Sequence, residues 1–151
     1  MSIPQNFNFS YAYHFTSLQN LDSVIEHGLL STNRKNQNAI QHVNVAAQGI
    51  QSRRSTMIVS GAQGKVVHDY VPFYFAKRTP MQLAVINKKN VDQELIIYFA
   101  VPLGIIDSRA GIYFSDASAN TDVPPGFYDA SQSVHLSNLN WQVIRLSLIH
   151  I

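Results

Sequence analysis

A histidine and a threonine two positions apart, His14 and Thr16, stand in the stretch Tyr13-His14-Phe15-Thr16. On a strand, such a pair projects to one face, so an imidazole and a hydroxyl can meet in one pocket and suit the polar edges of a nucleotide. In isolation, a histidine among apolar neighbours is more often a satisfied core group. Arg53 and Arg54 follow Ile50-Gln51. A guanidinium holds phosphate bidentately and stays charged at any ordinary pH, although an isolated Arg-Arg pair usually means solvated surface. The densest signal is His68-Asp69-Tyr70-Val71-Pro72-Phe73-Tyr74-Phe75-Ala76-Lys77-Arg78-Thr79-Pro80-Met81, which crowds aromatics, cations and two prolines beyond what an ordinary strand carries. Its alternating aromatics can insert one face into a core, at least one of Phe73 and Phe75 included. Tyr74, Arg78 and Met81 would then offer stacking and charge to an unpaired base.

Composition narrows the chemistry. The chain has 151 residues, enough for one domain with a real core, and it is 46% hydrophobic and 13% charged. Cysteine is absent, which removes disulfides, thiolate metal sites and a cysteine nucleophile. The formal charge is +2 and the pI is about 9.0, compatible with a polyanionic partner. Cations come as the pairs Arg34-Lys35, Arg53-Arg54, Lys77-Arg78 and Lys88-Lys89, so a nucleic-acid surface would have to be assembled by folding. The last of these pairs reads as ordinary solvated surface. The N-terminus lacks a basic segment followed by an apolar run, and no apolar stretch approaches the length of a membrane helix, so a cytoplasmic protein without membrane contact is expected. Neither GxGxxG nor GxxxxGK[ST] occurs, which disfavours a Rossmann domain or a P-loop even if a nucleotide is bound.

The elements that must position these residues follow from periodicity. Residues 11–16 read as an aromatic strand. Ser17 can cap a helix over 18–27, with Leu18, Leu21, Val24 and Ile25 at helical spacing and Gly28 as its stop. Residues 33–48, rich in Asn and Gln, predict a long loop or short broken helices over a site. Gly61-Ala62-Gln63-Gly64 reads as a turn, followed by extended chain at 66–67 and 71–76, bent at Pro72. Pro80 opens a helix over 81–85. The continuous apolar run 94–101 predicts the strongest strand, central and covered on both faces. Residues 111–115 form another candidate strand, and 136–144 a last short helix or turn. Strands and segregated helices together indicate an α+β fold.

The motifs resemble those of the DarT-type DNA ADP-ribosyltransferases, toxins that move ADP-ribose from NAD onto a base in single-stranded DNA. His68 to Met81 matches the family's D-Y-V-P-F-Y-F-x-x-R-x-P-M hallmark almost without departure. His14, Phe15 and Thr16 match its H-x-T strand, and residues 20–29 resemble an N-L-x-x-I-x-x-x-G-L block, with Val24 in the isoleucine place. The stretch from Ile50 to Val59 matches an I-Q-x-R-R-x-x-x-x-V block, with Arg54 in the essential place. The resemblance, spanning Tyr13 to about Arg145, implies NAD as co-substrate with no metal. It implies that His14, Phe15 and Thr16 hold the nicotinamide half, that Ser23 and Ser31 contact the dinucleotide, and that Arg54 is catalytic. Because a free guanidine needs strong pKa suppression, positioning of NAD and the transition state suits Arg54 better than literal general-base chemistry. Tyr74, Arg78 and Met81 would meet single-stranded DNA, and a macrodomain antitoxin would be the protein partner of a toxin-antitoxin or antiphage system.

Three departures qualify these expectations. The family's catalytic glutamate, in an A-E block beyond a tryptophan segment like Asn138-Leu139-Asn140-Trp141, has no counterpart, since the two glutamates are Glu26 and Glu94. The apolar ending Leu146-Ser147-Leu148-Ile149-His150-Ile151 stands where members continue with a polar loop, and it reads as truncation. Ser115-Asp116-Ala117-Ser118-Ala119 resembles a T-D-x-H-A block with Ser118 in place of the histidine. The expectation is one ADP-ribosyltransferase-like domain over 1–151, with two small packed sheets, the NAD pocket between them and the last strands missing. The rivals are a catalytically dead binder of NAD or single-stranded nucleic acid, and a transferase acting on RNA or protein.

Overall fold

Strand β1 (Tyr11–Ser17) carries the aromatic H-x-T segment and pairs antiparallel with β2 (Ile96–Pro102), His14 opposite Phe99 and Thr16 opposite Ile97. On its other side, Tyr13 and Tyr74 exchange both backbone hydrogen bonds at 2.8 Å, an isolated antiparallel bridge. The computed structural model describes residues 11–46, 48–88, 91–107, 109–119, 121, 123–129 and 139–142. Within them β1, not β2, holds the middle position. The apolar run of β2 is half-buried on one face, at Ile97, Phe99 and Val101, and exposed at Tyr98 and Ala100 on the other. Its composition suits a strand covered on both faces, but Pro102 and the single described partner place it at an edge. A second two-stranded sheet joins β3 (Tyr113–Ser115) to β4 (Phe127–Asp129). β3 falls within the expected 111–115, whereas β4 had no sequence signal of its own.

The chain leaves β1 through a 3₁₀ turn, Leu18–Asn20, in which Ser17 accepts a hydrogen bond from the Gln19 amide. Helix α1 (Leu21–His27) begins only after Asn20 and ends at Gly28, whose φ of 81° suits glycine. The expected apolar stripe is only partly covered: Leu21 and Val24 are half-buried, Leu18 is 44% and Ile25 74% exposed, and α1 buries no residue fully. The cause is local. Asn20 directs its amide to Thr16 and Val43 instead of capping α1.

Residues 33–48 hold most of the short helix α2 (Thr32–Gln37), then irregular chain through residue 46; α3 (Gln48–Thr56) is the helix that carries both arginines. Polar α3 was not foreseeable from periodicity, because only Ile50 of its face packs on the core. The 61–64 turn uses positive φ at Gly61, Gln63 and Gly64. The hallmark segment is not a strand: Val67–Asp69 is a 3₁₀ turn, and beyond it only Tyr74 makes a bridge. Pro72, in its middle, has no amide to donate to a ladder. Pro80 opens α4 (Pro80–Asn87), longer than expected, with Thr79 capping through the Gln82 amide. α4 inserts Met81 and Val85 beside Phe15 and Val91 in the core, with Val45, Ile50, Tyr74, Leu95 and Ile96 packed around them. α5 (Gly104–Asp107) follows β2. Of the expected helix at 136–144 only 139–142 are described, where Trp141 is buried and meets Phe75 edge-on at 5.2 Å. The apolar ending lies outside the described residues. Among those described, no helix is long and apolar enough to cross a membrane.

Candidate functional site

Two adjoining clefts open on the His14/Thr16 face of β1. The larger encloses about 770 Å³, counting the solvent at its mouth, and is walled by β1, α2, the 42–46 segment, α3, the hallmark segment and α4. The smaller, about 390 Å³, lies against α1 and the Gly28-Leu29-Leu30 turn. No residue of β3 or β4 lines either cleft, so the pocket is not between the two sheets as expected. The second sheet reaches the site through the chain after β3, whose Ala119 carbonyl accepts from Arg54 Nε at 3.4 Å.

Sequence pairing predicted that His14 and Thr16 share a face, and both line both clefts. His14 Nδ1–H donates to the Pro72 carbonyl at 2.8 Å, which leaves Nε2 as the unprotonated nitrogen of the neutral ring. Burial pushes its pKa below the ordinary 6.5, against the pull of the Pro72 carbonyl and with help from the Lys35 charge. His14 is therefore a neutral acceptor at pH 7. Buried Thr16 accepts from Asn20 Nδ2 at 2.9 Å, so its own hydroxyl proton remains available to a ligand.

Asn20 is the residue that sequence reasoning undervalued. Its amide also donates to the Val43 carbonyl at 2.9 Å and accepts from the Val43 amide at 2.7 Å, copying a strand pairing with one side chain. That clamp holds the 42–46 segment as a wall of the larger cleft. An asparagine at the expected strand-to-helix junction was the available signal.

The Arg-Arg pair splits: Arg53 is exposed, while Arg54 is 8% exposed and lines the larger cleft. Ile50 and Arg54 stand four apart on α3, so the packing of Ile50 on the core carries Arg54 inward. Its Nη2 reaches the Tyr74 hydroxyl at 3.5 Å, and the Tyr74 ring stacks on Phe15 at 5.7 Å. Beside it, His68 Nε2–H donates to Gln51 Oε1 at 2.8 Å, and Gln51 Nε2 donates to Asn44 Oδ1 at 2.8 Å. This chain ties the hallmark segment to α3 and the 42–46 wall. Burial, then the Arg54 charge, hold the His68 pKa down.

The remaining predicted residues divide. Ser23 lines only the smaller cleft. Ser31, which caps α2 through the Arg34 amide at 3.3 Å, lines only the larger. Met81 touches the larger cleft but is buried in the core, so it cannot present a broad face to a base. Arg78 is exposed and lines neither cleft, and its charge is felt by Tyr98. Of the two phenylalanines of which at least one was expected in the core, Phe73 is 39% exposed, its ring centre 5.7 Å from that of His14, while Phe75 packs on Trp141. Lys35, read in the sequence only as half of a cation pair, and His42, unremarked there, line both clefts. Among the described residues no group of His, Asp and Glu side chains could hold a metal ion.

Residues 13–147 match the family described as DarT, ssDNA thymidine ADP-ribosyltransferase. A DNA ADP-ribosyl transferase of Thermus aquaticus is 33% identical over 140 residues, which are 89% of this chain and 60% of that protein. A second, from Thermus sp., is 30% identical over 138 residues, 89% of this chain and 64% of that protein. The chain thus spans less than two thirds of the length of these curated relatives. The structure of Thermus sp. 2.9 DarT in complex with ADP-ribosylated ssDNA aligns with a TM-score of 0.80 at 28% identity, covering 97% of this chain and 68% of that one.

Proposed function

The chain belongs to the DarT family of DNA ADP-ribosyltransferases, and on that premise we propose that it binds NAD and single-stranded DNA to transfer ADP-ribose onto a thymidine base. The observation that carries this reading is the buried Arg54 guanidinium in one cleft with His14, Thr16 and Tyr74. Neutral His14 accepts from a ribose hydroxyl through Nε2, and Thr16 donates to the nicotinamide half. Tyr74, steadied by Phe15 and Arg54, offers a ring to the incoming base. In the transfer, a base nitrogen bonds to the ribose anomeric carbon. The bond from that carbon to nicotinamide breaks, nicotinamide leaves with the electron pair as a neutral amide, and the base loses its N–H proton to solvent. Arg54 orients the reacting groups and faces the acceptor; a lysine there would lack the planar fork.

Breaking that bond develops positive charge on the ribose, which a positioned carboxylate stabilises by several kcal/mol. Among the described residues no carboxylate lines either cleft. Glu26 is 75% exposed on α1, and Glu94 is exposed in the turn before β2. We therefore expect the 151-residue chain to bind both substrates and turn over poorly, which favours a binding module as the second reading for this polypeptide. In a cell, such a transferase would act as a toxin whose partner is a macrodomain antitoxin.

The test is adduct formation. The chain, and a fusion carrying the C-terminal part of a longer Thermus relative, are incubated with NAD and a thymidine-containing single-stranded oligonucleotide. The ADP-ribose mass increment is expected from the fusion and lost on Arg54→Ala. Arg54→Lys should retain about 1% or less, the usual effect of losing a donor aimed at developing charge. An increment on RNA or protein alone would move the assignment to another acceptor, and robust product from the unfused chain would overturn the carboxylate reasoning. Binding to the oligonucleotide should exceed binding to its duplex and weaken with salt. Equal affinity for duplex would remove the stacking role of Tyr74.

A further inference from the structure

The two clefts meet along a wall of six residues, His14, Thr16, Asn20, Leu30, Lys35 and His42, that line both. A dinucleotide is two nucleosides joined by a diphosphate. If one nucleoside occupies each cleft, the diphosphate crosses this wall. Lys35 is the permanent cation on it, because burial lowers the pKa values of His14 and His42 and leaves both rings neutral at pH 7. Arg54 lines the larger cleft only, and its guanidinium already serves Ala119 and Tyr74.

Lys35 is half-buried, and among the described residues no carboxylate lies within ion-pair distance of it. Other lysines near the site are engaged: Lys77 lies 5.4 Å from the centre of the Tyr13 ring and Lys65 lies 5.8 Å from that of Tyr70. The Lys35 charge is instead felt by His14, His42 and His68, whose pKa values it helps to lower. A half-desolvated ammonium without a counter-charge disfavours the empty protein, and burial lowers its own pKa accordingly. A dianionic diphosphate seated beside it would offset that penalty.

We propose that Lys35 is the diphosphate anchor of a dinucleotide laid across both clefts, leaving Arg54 to the reacting end. The proposal rests on the reading of this site as an NAD site. It also accounts for the separation of Ser23 and Ser31, each in a different cleft yet both implied as dinucleotide contacts.

The experiment compares ADP-ribose with adenosine, which lacks phosphate, on the 151-residue chain by calorimetry, for the unaltered protein, Lys35→Met and Lys35→Arg. Lys35→Met should weaken ADP-ribose binding about tenfold or more, as expected for losing a charge-assisted phosphate contact. It should leave adenosine affinity unchanged and flatten the salt dependence. Because the substitution removes an uncompensated charge, the Tm of the free protein should stay level or rise, which a merely structural lysine would not show. Lys35→Arg should recover most of the binding. If the unaltered chain binds ADP-ribose and Lys35→Met binds it equally well, or loses ADP-ribose and adenosine in the same proportion, the anchor is refuted. A chain that binds neither compound refutes the NAD reading itself, a separate failure.

Discussion

Side-chain hydrogen bonds decide how the site is held. Asn20 makes three bonds that no other residue type of its size could make together, one to Thr16 and two to the Val43 backbone. Replacing it with alanine leaves the Val43 amide and carbonyl without their partner and frees Thr16 to turn. Asn20→Ala is expected to destabilise the protein by about 1–3 kcal/mol, measured as a lower urea midpoint, and to weaken ADP-ribose binding as the 42–46 wall loosens. A midpoint within error of the unaltered protein would show that this clamp holds nothing. By contrast, the H-x-T pair and Arg54 could be named from residue type and spacing alone, because a strand's two-residue period and the charge of a guanidinium are local properties. The split between Arg53 and Arg54 was visible only through the family motif, and its physical origin is the four-residue step from Ile50.

At the scale of elements, the turn chemistry was the most legible. Ser17, Gly28 and Pro80 punctuate the chain where their side chains and φ preferences require. Thr79 begins α4 by accepting from the Gln82 amide at 3.2 Å, and α4 in turn delivers Met81 and Val85 to the core beneath Phe15 and Tyr74. Thr79→Ala should therefore lower stability by about 1 kcal/mol. Tm should drop by a few degrees, and Thr79→Ser should restore most of it; a variant as stable as the original would show that Pro80 alone starts the helix. Helices α1 and α3 defied periodicity for opposite reasons. α1 has apolar spacing but leaves Ile25 in solvent, whereas polar α3 is held by Ile50, Gln51 and Arg54 through contacts distant in sequence.

For the whole molecule, three histidines around the clefts make stability depend on pH. Burial is the first cause of the lowered pKa at His14, His42 and His68, with the Lys35 charge adding to it at each. A histidine with a folded pKa below its unfolded value of 6.5 binds protons more readily in the unfolded chain. Its contribution to stability is complete above that value and is lost as pH falls through the folded pKa. Thermal unfolding should thus show a falling Tm as pH drops below about 6.5, with a shallower slope in His14→Gln. Asp69, held below its ordinary pKa by Asn33 and the Val66 amide, would extend the loss at still lower pH. A Tm flat from neutral pH to mildly acid would refute the neutral state of these three histidines.

By itself, the sequence determined the α+β class, the H-x-T strand, the arginine block and the aromatic hallmark, because each depends on residue type and short spacing. The tertiary structure decided that β1 lies between β2 and Tyr74. It also placed the clefts on the His14/Thr16 face instead of between the sheets, and set Lys35, His42, His68 and Asn20 beside the predicted residues. Those placements arise from pairings between segments far apart in the chain. A pattern of neighbouring side chains records what each segment can bury, but not which distant segment will bury it.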